Sequence, residues 1–210
     1  MKEQNWIDHA SFDFSGKDLD DLLSQFSAPL RQHSRRVAVC SAIMAECADD
    51  FSQPHFVHSA GKKLAEIAHL GGTCHDIGKL LLPALTTDEA DYFRHPVLGA
   101  ELLEQHKEQL LGGEALARTV LDVVRYHHER PDGNGFPEGL RARQIPLTAG
   151  ICAVANYLDY VIGLQEEPFS DIDGVLKQIK AQSGILFCEA AVTCLEKAWP
   201  RLVDRYKKWK

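Results

Sequence analysis

Apolar positions recur along this chain at the three-to-four-residue spacing of helices, and nowhere at the sustained alternation of strands. Over residues 30–47, Leu30, His33, Val37, Cys40, Met44 and Cys47 form one stripe, which puts His33 on a core-facing side. An imidazole in that position needs a partner. A second helix is predicted over 62–76, with Leu64, Ile67, Gly71 and Cys74 on one face; Gly78 stops it and Pro83 forbids its continuation. Thr86 and Glu89 stand at capping-box spacing. The helix they open is predicted to reach His95, break at Pro96 and resume through Leu98, Leu102 and Leu103.

Residues 114–128 predict an amphipathic helix with Leu116, Val120, Val123 and His127 on its stripe. The run from Pro131 to Pro137 is dense in turn formers and must be a loop. Helix returns over 146–162, where Asn156 and Asp159 share a face at i, i+3. Helices over 170–182 and 188–199 close the domain before a basic tail at Lys207, Lys208 and Lys210. Residues 1–27, carrying Trp6, Phe12, Phe14, Leu19, Leu22 and Leu23, read as a helical extension packed on a main body of 28–210. The predicted class is therefore all-α, a single multi-helix domain.

Composition changes this picture little. With 210 residues, 45% of them apolar and 25% charged, the chain can bury a core without disulfides or a structural metal. A formal net charge of −7 argues against a broad nucleic-acid or anionic-membrane surface. It does not exclude a small anionic substrate, because bound cations set the local field of a site. The six cysteines form no C-x-x-C pair and read as buried thiols in a reducing cytosol. No apolar run approaches ~20 residues and residues 1–14 lack a signal pattern, so the expectation is a cytoplasmic protein.

The histidines do change the picture. There are ten, and His33, His75, His95 and the pair His127-His128 each fall on or at the end of a different predicted helix. Asp76 follows His75, and Lys79 lies one turn beyond. Five imidazoles and a carboxylate suit borderline divalent metals such as zinc, iron, manganese or nickel. Asp76 has two oxygens with which to bridge two ions, and Lys79 can neutralise a phosphate oxygen. Each residue alone has a plainer reading: His33 as a paired core histidine, the His127-His128 pair as a helix end, Asp132-Gly133 as a turn. Glu129 either orients an imidazole or caps that helix end. His9, His55, His58, His69 and His106 read as surface residues.

The string His75-Asp76-Ile77-Gly78-Lys79 resembles the signature of HD-domain metal-dependent phosphohydrolases. The stretch from His127 to Pro137 resembles the second signature of their HD-GYP branch, with Phe136 where that branch has tyrosine. The resemblance continues through Ile145-Pro146-Leu147 and Val154 to Asp159, covering about residues 30–199. It implies an HD-superfamily helical domain that hydrolyses cyclic di-GMP or a related nucleotide with two iron or manganese ions. By the same resemblance, His33, His75, Asp76 and residue 156 hold one ion. Asp76 bridges to a second, held by His95, His127 and His128. Asp76, Lys79 and Asp159 are then the catalytic candidates, and Lys79, Asp132, Gly133 and Gly135 the substrate-binding ones.

The chain departs from that pattern at several places. Asn156 stands where the family has aspartate, giving up one negative charge. Pro29 occupies the position of a third-metal glutamate, which argues against a trinuclear centre of that type. Glu167-Pro168-Phe169-Ser170 replaces an Arg-Pro-Tyr-Arg segment, removing charge-assisted contacts of roughly 1.5–3 kcal/mol each. The connection from Lys79 to His95 is also short. A second reading follows from these losses: a signalling or binding module that keeps the metal and hydrolyses little. A third is an HD phosphohydrolase for another nucleotide or a phosphomonoester. With no sensor module attached, regulation is expected from a protein partner or a homo-oligomer.

Overall fold

The computed structural model describes residues 18–48, 64–82, 89–111, 114–163 and 171–209. Among these, ten α-helices and two short 3-10 turns account for nearly all regular structure, and no strand is present. The helices are α1 (Leu19–Ser24), α2 (Ala28–Ala45), α3 (Leu64–Cys74), α4 (Glu89–Tyr92) and α5 (His95–Gln105). They continue as α6 (Lys107–Leu111), α7 (Glu114–Tyr126), α8 (Leu147–Gly163), α9 (Ile172–Ala181) and α10 (Glu189–Lys207). Most of the expected extension 1–27, the Thr86 cap, His9, His55, His58 and the segment 167–170 lie outside the described residues.

Local chemistry sets the helix starts. The Asp18 carboxylate accepts from the Asp21 amide at 2.9 Å while Asp21 reaches back to the Asp18 amide at 3.1 Å, a reciprocal cap on α1. Ser27 caps α2, with Pro29 in its first turn. Pro96 likewise sits in the first turn of α5. This corrects the expected break: proline starts this helix, because first-turn amides need no intrahelical acceptor. The second correction is at α3, which ends at Cys74, before His75-Asp76. Asp76 leaves helical geometry (φ −100°, ψ 9°) and a 3-10 turn follows over Ile77–Leu81. At the far end α10 runs through Pro200 to Lys207 instead of stopping at Trp199. Leu195, Trp199, Leu202 and Tyr206 continue one buried stripe, and that burial outweighs the hydrogen bond proline forfeits.

Two apolar clusters fill the domain. One joins α2, α8, α9 and α10 around Ile151, Leu158, Leu195 and Leu202. The other joins α1, α5, α6 and the 3-10 turn around Leu22, Ile77 and Leu103. Helices α3 and α7 contribute to both: Ala68 and Val123 to the first, Ile67 and Val124 to the second. Fully burying each such Leu or Ile contributes about 1.5–3 kcal/mol. Gly78 is what lets α5 close on the 3-10 turn. A Cβ there would fall 2.0 Å from the His95 carbonyl oxygen and 2.6 Å from the Gly99 amide nitrogen. Only glycine admits that backbone approach, and the approach carries His95 to Asp76.

Candidate metal centre

The packing gathers side chains from four segments. His33 comes from the second turn of α2, His75 and Asp76 from the turn after α3, His95 from the first position of α5, and His127 and His128 from just past α7. His75 and His95 are 0% exposed, and His127 and Asp76 1%. Four such groups at that burial need compensation. Their contacts divide them into two sets: His33, His75 and Asp76 in one, His95, His127 and His128 in the other. Within each set the potential ligand atoms lie within 4.8 Å of one another.

Three of the imidazoles are oriented by their own backbone. The Nδ1 atoms of His75, His95 and His127 meet the carbonyl oxygens of Gly72 (2.8 Å), Tyr92 (2.6 Å) and Val124 (2.9 Å), each three residues earlier. A carbonyl only accepts, so each Nδ1 carries the proton and each Nε2 of the neutral ring presents a lone pair. Burial, reinforced by the neighbouring imidazoles, holds the His127 pKa well below its usual value, and burial lowers that of His128 to about 3. Both rings are thus held in the neutral form that ligates metals.

Those lone pairs converge without donors. His95 Nε2 and His127 Nε2 face each other at 3.3 Å. His95 Nε2 lies 3.2 Å from Asp76 Oδ1, and His75 Nε2 lies 3.4 Å from Asp76 Oδ2. His75 Nε2, His128 Nε2 and Asp76 Oδ1 are buried without a hydrogen-bond partner. Acceptors crowded against acceptors in a dry site repel unless a cation lies among them. The donor set, imidazole nitrogens with one carboxylate, therefore fits divalent metal. Burial raises the Asp76 carboxyl, and the Lys79 ammonium in contact with it pulls it back down. Lys79 Nζ donates to Asp76 Oδ2 at 2.6 Å and stands 5.5 Å from the Tyr92 ring centre.

His33 is held differently. Its Nδ1 meets Asp159 Oδ2 at 2.8 Å, its Nε2 lies 3.9 Å from Asp76 Oδ2, and its side chain is 20% exposed. Asp159 is clamped in turn by Arg36, with Nε–Oδ1 2.6 Å and Nη2–Oδ2 2.9 Å, and by the Tyr206 hydroxyl at 3.4 Å. Burial would raise the Asp159 carboxyl, but His33 and Arg36 outweigh it and its pKa falls. With both oxygens engaged, Asp159 faces His33 and not the lone pairs around Asp76. Arg36, Tyr206 and Tyr92 were missed in the sequence. Arg36 had a signal, since it stands one turn from His33 on the same helix.

The loop after α7 roofs the second set. Phe136 stacks on His128 with ring centres 4.6 Å apart and planes inclined by 16°, and Phe93 meets Phe136 edge-on at 4.7 Å. The Glu129 carboxylate accepts from the amides of Glu138 (2.6 Å), Gly139 (3.1 Å) and Leu140 (2.8 Å). It neither orients an imidazole nor caps α7, because three loop amides claim both its oxygens. A Cβ on Gly135 would lie 2.3 Å from the Arg130 amide nitrogen and 2.6 Å from the His128 carbonyl oxygen, so glycine keeps the loop against the histidine pair. Gly133 turns the chain at φ 78°. Asp132 pairs with Arg130 and accepts from the Asn134 amide at 3.0 Å, so its carboxylate is spent within the loop. Asn156 is half-buried on α8, one turn before Asp159. The thiols are free, and burial pushes Cys40 and Cys74 up to about 12, far from nucleophilic use. His69 is exposed and His106 half-buried, and neither joins the two sets.

The HD domain family model matches residues 30–161. The cyclic di-GMP phosphodiesterase response regulator RpfG of Xanthomonas campestris pv. campestris is 35% identical over 141 residues, 61% of this chain and 35% of that protein. A cyclic di-GMP phosphodiesterase of Thermotoga maritima is 25% identical over 221 residues, 99% of this chain and 55% of that protein. The 3'3'-cGAMP-specific phosphodiesterase 2 of Vibrio cholerae is 27% identical over 141 residues, 61% of this chain and 26% of that protein. Among solved structures, Bd1817, a HDG"Y"P protein from Bdellovibrio bacteriovorus, matches with a TM-score of 0.57 and 20% identity over 81% of this chain and 52% of that one, a likeness of fold. The chain thus spans only part of each relative, 26% to 55% of the curated proteins named here.

Proposed function

This chain belongs to the HD domain family, and on that footing we propose that it is a metal-dependent phosphodiesterase acting on a cyclic dinucleotide such as cyclic di-GMP. The observation that carries the proposal is the carboxylate of Asp76, whose Oδ1 faces His95 at 3.2 Å while Oδ2 faces His75 at 3.4 Å. One buried carboxylate with an oxygen toward each histidine set suits a bridge between two ions. His33, His75 and Asp76, with Asn156, would hold one ion, and His95, His127, His128 and Asp76 the other, with iron or manganese expected. When bound, such ions supply Lewis-acid polarisation of a phosphoryl group and acidify water.

The chain's own residues do the rest. In hydrolysis a P–O bond to water forms as the P–O bond to a ribose oxygen breaks. Lys79, 27% exposed and in contact with Asp76, would turn from that carboxylate to meet a non-bridging phosphate oxygen. Asp159, clamped by Arg36, fixes the His33 tautomer and so acts as a positioning residue. Phe136 covers one face of His128 and keeps water from it. Asp132, Gly133 and Gly135 shape the loop above the histidine pair.

The test is metal content and turnover together. Purified protein should carry up to two divalent ions per chain and open cyclic di-GMP or 3'3'-cGAMP to a linear dinucleotide with manganese or ferrous iron. Absence of bound metal would sink the proposal. Asn156 supports the alternative of a metal-bearing signalling module, because a neutral amide replaces a charged ligand. That alternative is assigned if the parent binds metal without turnover and Asn156→Asp restores it.

A further inference from the structure

Lys79 stands in a place that its expected role toward a phosphate does not explain. Its ammonium is 2.6 Å from Asp76 Oδ2, the oxygen that also faces His75 at 3.4 Å and His33 at 3.9 Å. A cation thus already sits against the one anionic oxygen of the His33–His75–Asp76 set. The other set is unlike it. Among the described residues, Asp76 Oδ1 has no hydrogen-bond donor, and His95, His127 and His128 present a compact group with no ammonium in contact. The Tyr92 ring, 5.5 Å from Nζ, offers the ammonium a second resting place by cation–π attraction, so the side chain can leave Asp76 without entering bulk water.

We propose that Lys79 is an internal competitor for one of the two metal ions. The His95–His127–His128 set loads first and tightly, and the His33–His75–Asp76 set loads second, only as the Lys79 ammonium is displaced from Asp76 Oδ2. The inference rests on the two-ion reading above and concerns the order and inequality of binding, which that reading leaves open. Replacing a cation in contact with a ligand oxygen acts on the affinity of that half far more than on the other, because charge effects weaken with distance and screening.

The experiment is calorimetric titration of the chelator-treated full chain with manganese(II) at pH 7. The parent should show one tight phase and a second, weaker one. Lys79→Met should tighten the second phase by about ten-fold or more and leave the first within about three-fold. Lys79→Arg, which keeps the cation, should retain the weak second phase, and His128→Ala should abolish the tight one. Thermal melts of each variant without metal establish that it is folded. A second phase unchanged or weakened in Lys79→Met overturns the proposal, as do two phases that tighten equally. Two phases of equal affinity in the parent overturn it alone. No manganese uptake by parent or variants overturns the two-ion reading with it.

Discussion

The two halves of the candidate metal centre are built by different means. In the His95–His127–His128 half, two of the three rings are pinned by carbonyls of their own helical turns, at 2.6 Å and 2.9 Å. The anchor and the ligand are three residues apart, so these rings are oriented as their own turns form, and the packing of α5 on α7 then brings them together. In the other half, His75 has the same local anchor but His33 depends on Asp159, a residue 126 positions away. Asp159 depends in turn on Arg36 and Tyr206. The lesson is that one site can combine a rigid half, whose rings are oriented by their own turns, with a half whose His33 is oriented only once α2, α8 and α10 have packed.

Removing what the halves share should have the largest effect. Asp76→Ala takes an oxygen from both, and turnover should fall by at least ~10³-fold, of the order seen when a group acting in the transition state is lost. Metal analysis should then find at most one ion, retained by the three imidazoles.

Breaking only the packed half comes next. Asp159→Asn should lower affinity for one ion by about 10–100-fold, as loss of a partner behind a ligand does. It should also cost stability near the low end of the ~3–5 kcal/mol typical of broken buried pairs, because Arg36 remains partly hydrated. Urea unfolding and metal titration check both figures. Equal weakening of both ions would erase the distinction drawn here.

Acid should act first on the rigid half. His127 and His128 have folded pKa values below their unfolded value near 6.5, that of His128 about 3. The unfolded chain therefore binds protons that the folded one refuses. Stability is fully present above pH 6.5 and is lost as pH falls from there toward 3, by up to ~1.4 kcal/mol per pH unit for each ring. Urea midpoints of chelator-treated protein should fall between pH 6.5 and 4.5, and His128→Gln should flatten the slope. The Asp76 and Asp159 carboxyls are depressed, so their contributions persist above the usual carboxylate range and fade only in stronger acid.

The smallest effect should come from Phe136→Leu, which removes the ring stacked on His128 and costs about 1 kcal/mol. A melting shift with unchanged metal stoichiometry would confine this residue to roofing the rigid half.

Much of the site was readable because its logic is local. Helical spacing placed His33 on a buried stripe, and the adjacency of His75 and Asp76 puts two donors on one turn whatever the rest of the chain does. Glycines 78 and 135 are also read easily as motif members, though their reason is tertiary: each leaves room for a backbone that approaches from elsewhere, α5 at one and the end of α7 at the other. Pro96 misled, since a proline reads as a break until the chain before it is seen to end in a turn. Glu129 misled because its three amide partners lie nine to eleven residues downstream.

The sequence alone determined the helical class, the histidine-rich character of the site and the pairing of His75 with Asp76, because periodicity and adjacency act within a few residues. Only the tertiary structure decided how the ligands divide into two sets. It alone turned Asp159 toward His33 and Arg36, and set Lys79 against Asp76 Oδ2. Those outcomes rest on distances between segments far apart in the chain, which are fixed by packing against the two apolar clusters and by nothing written locally.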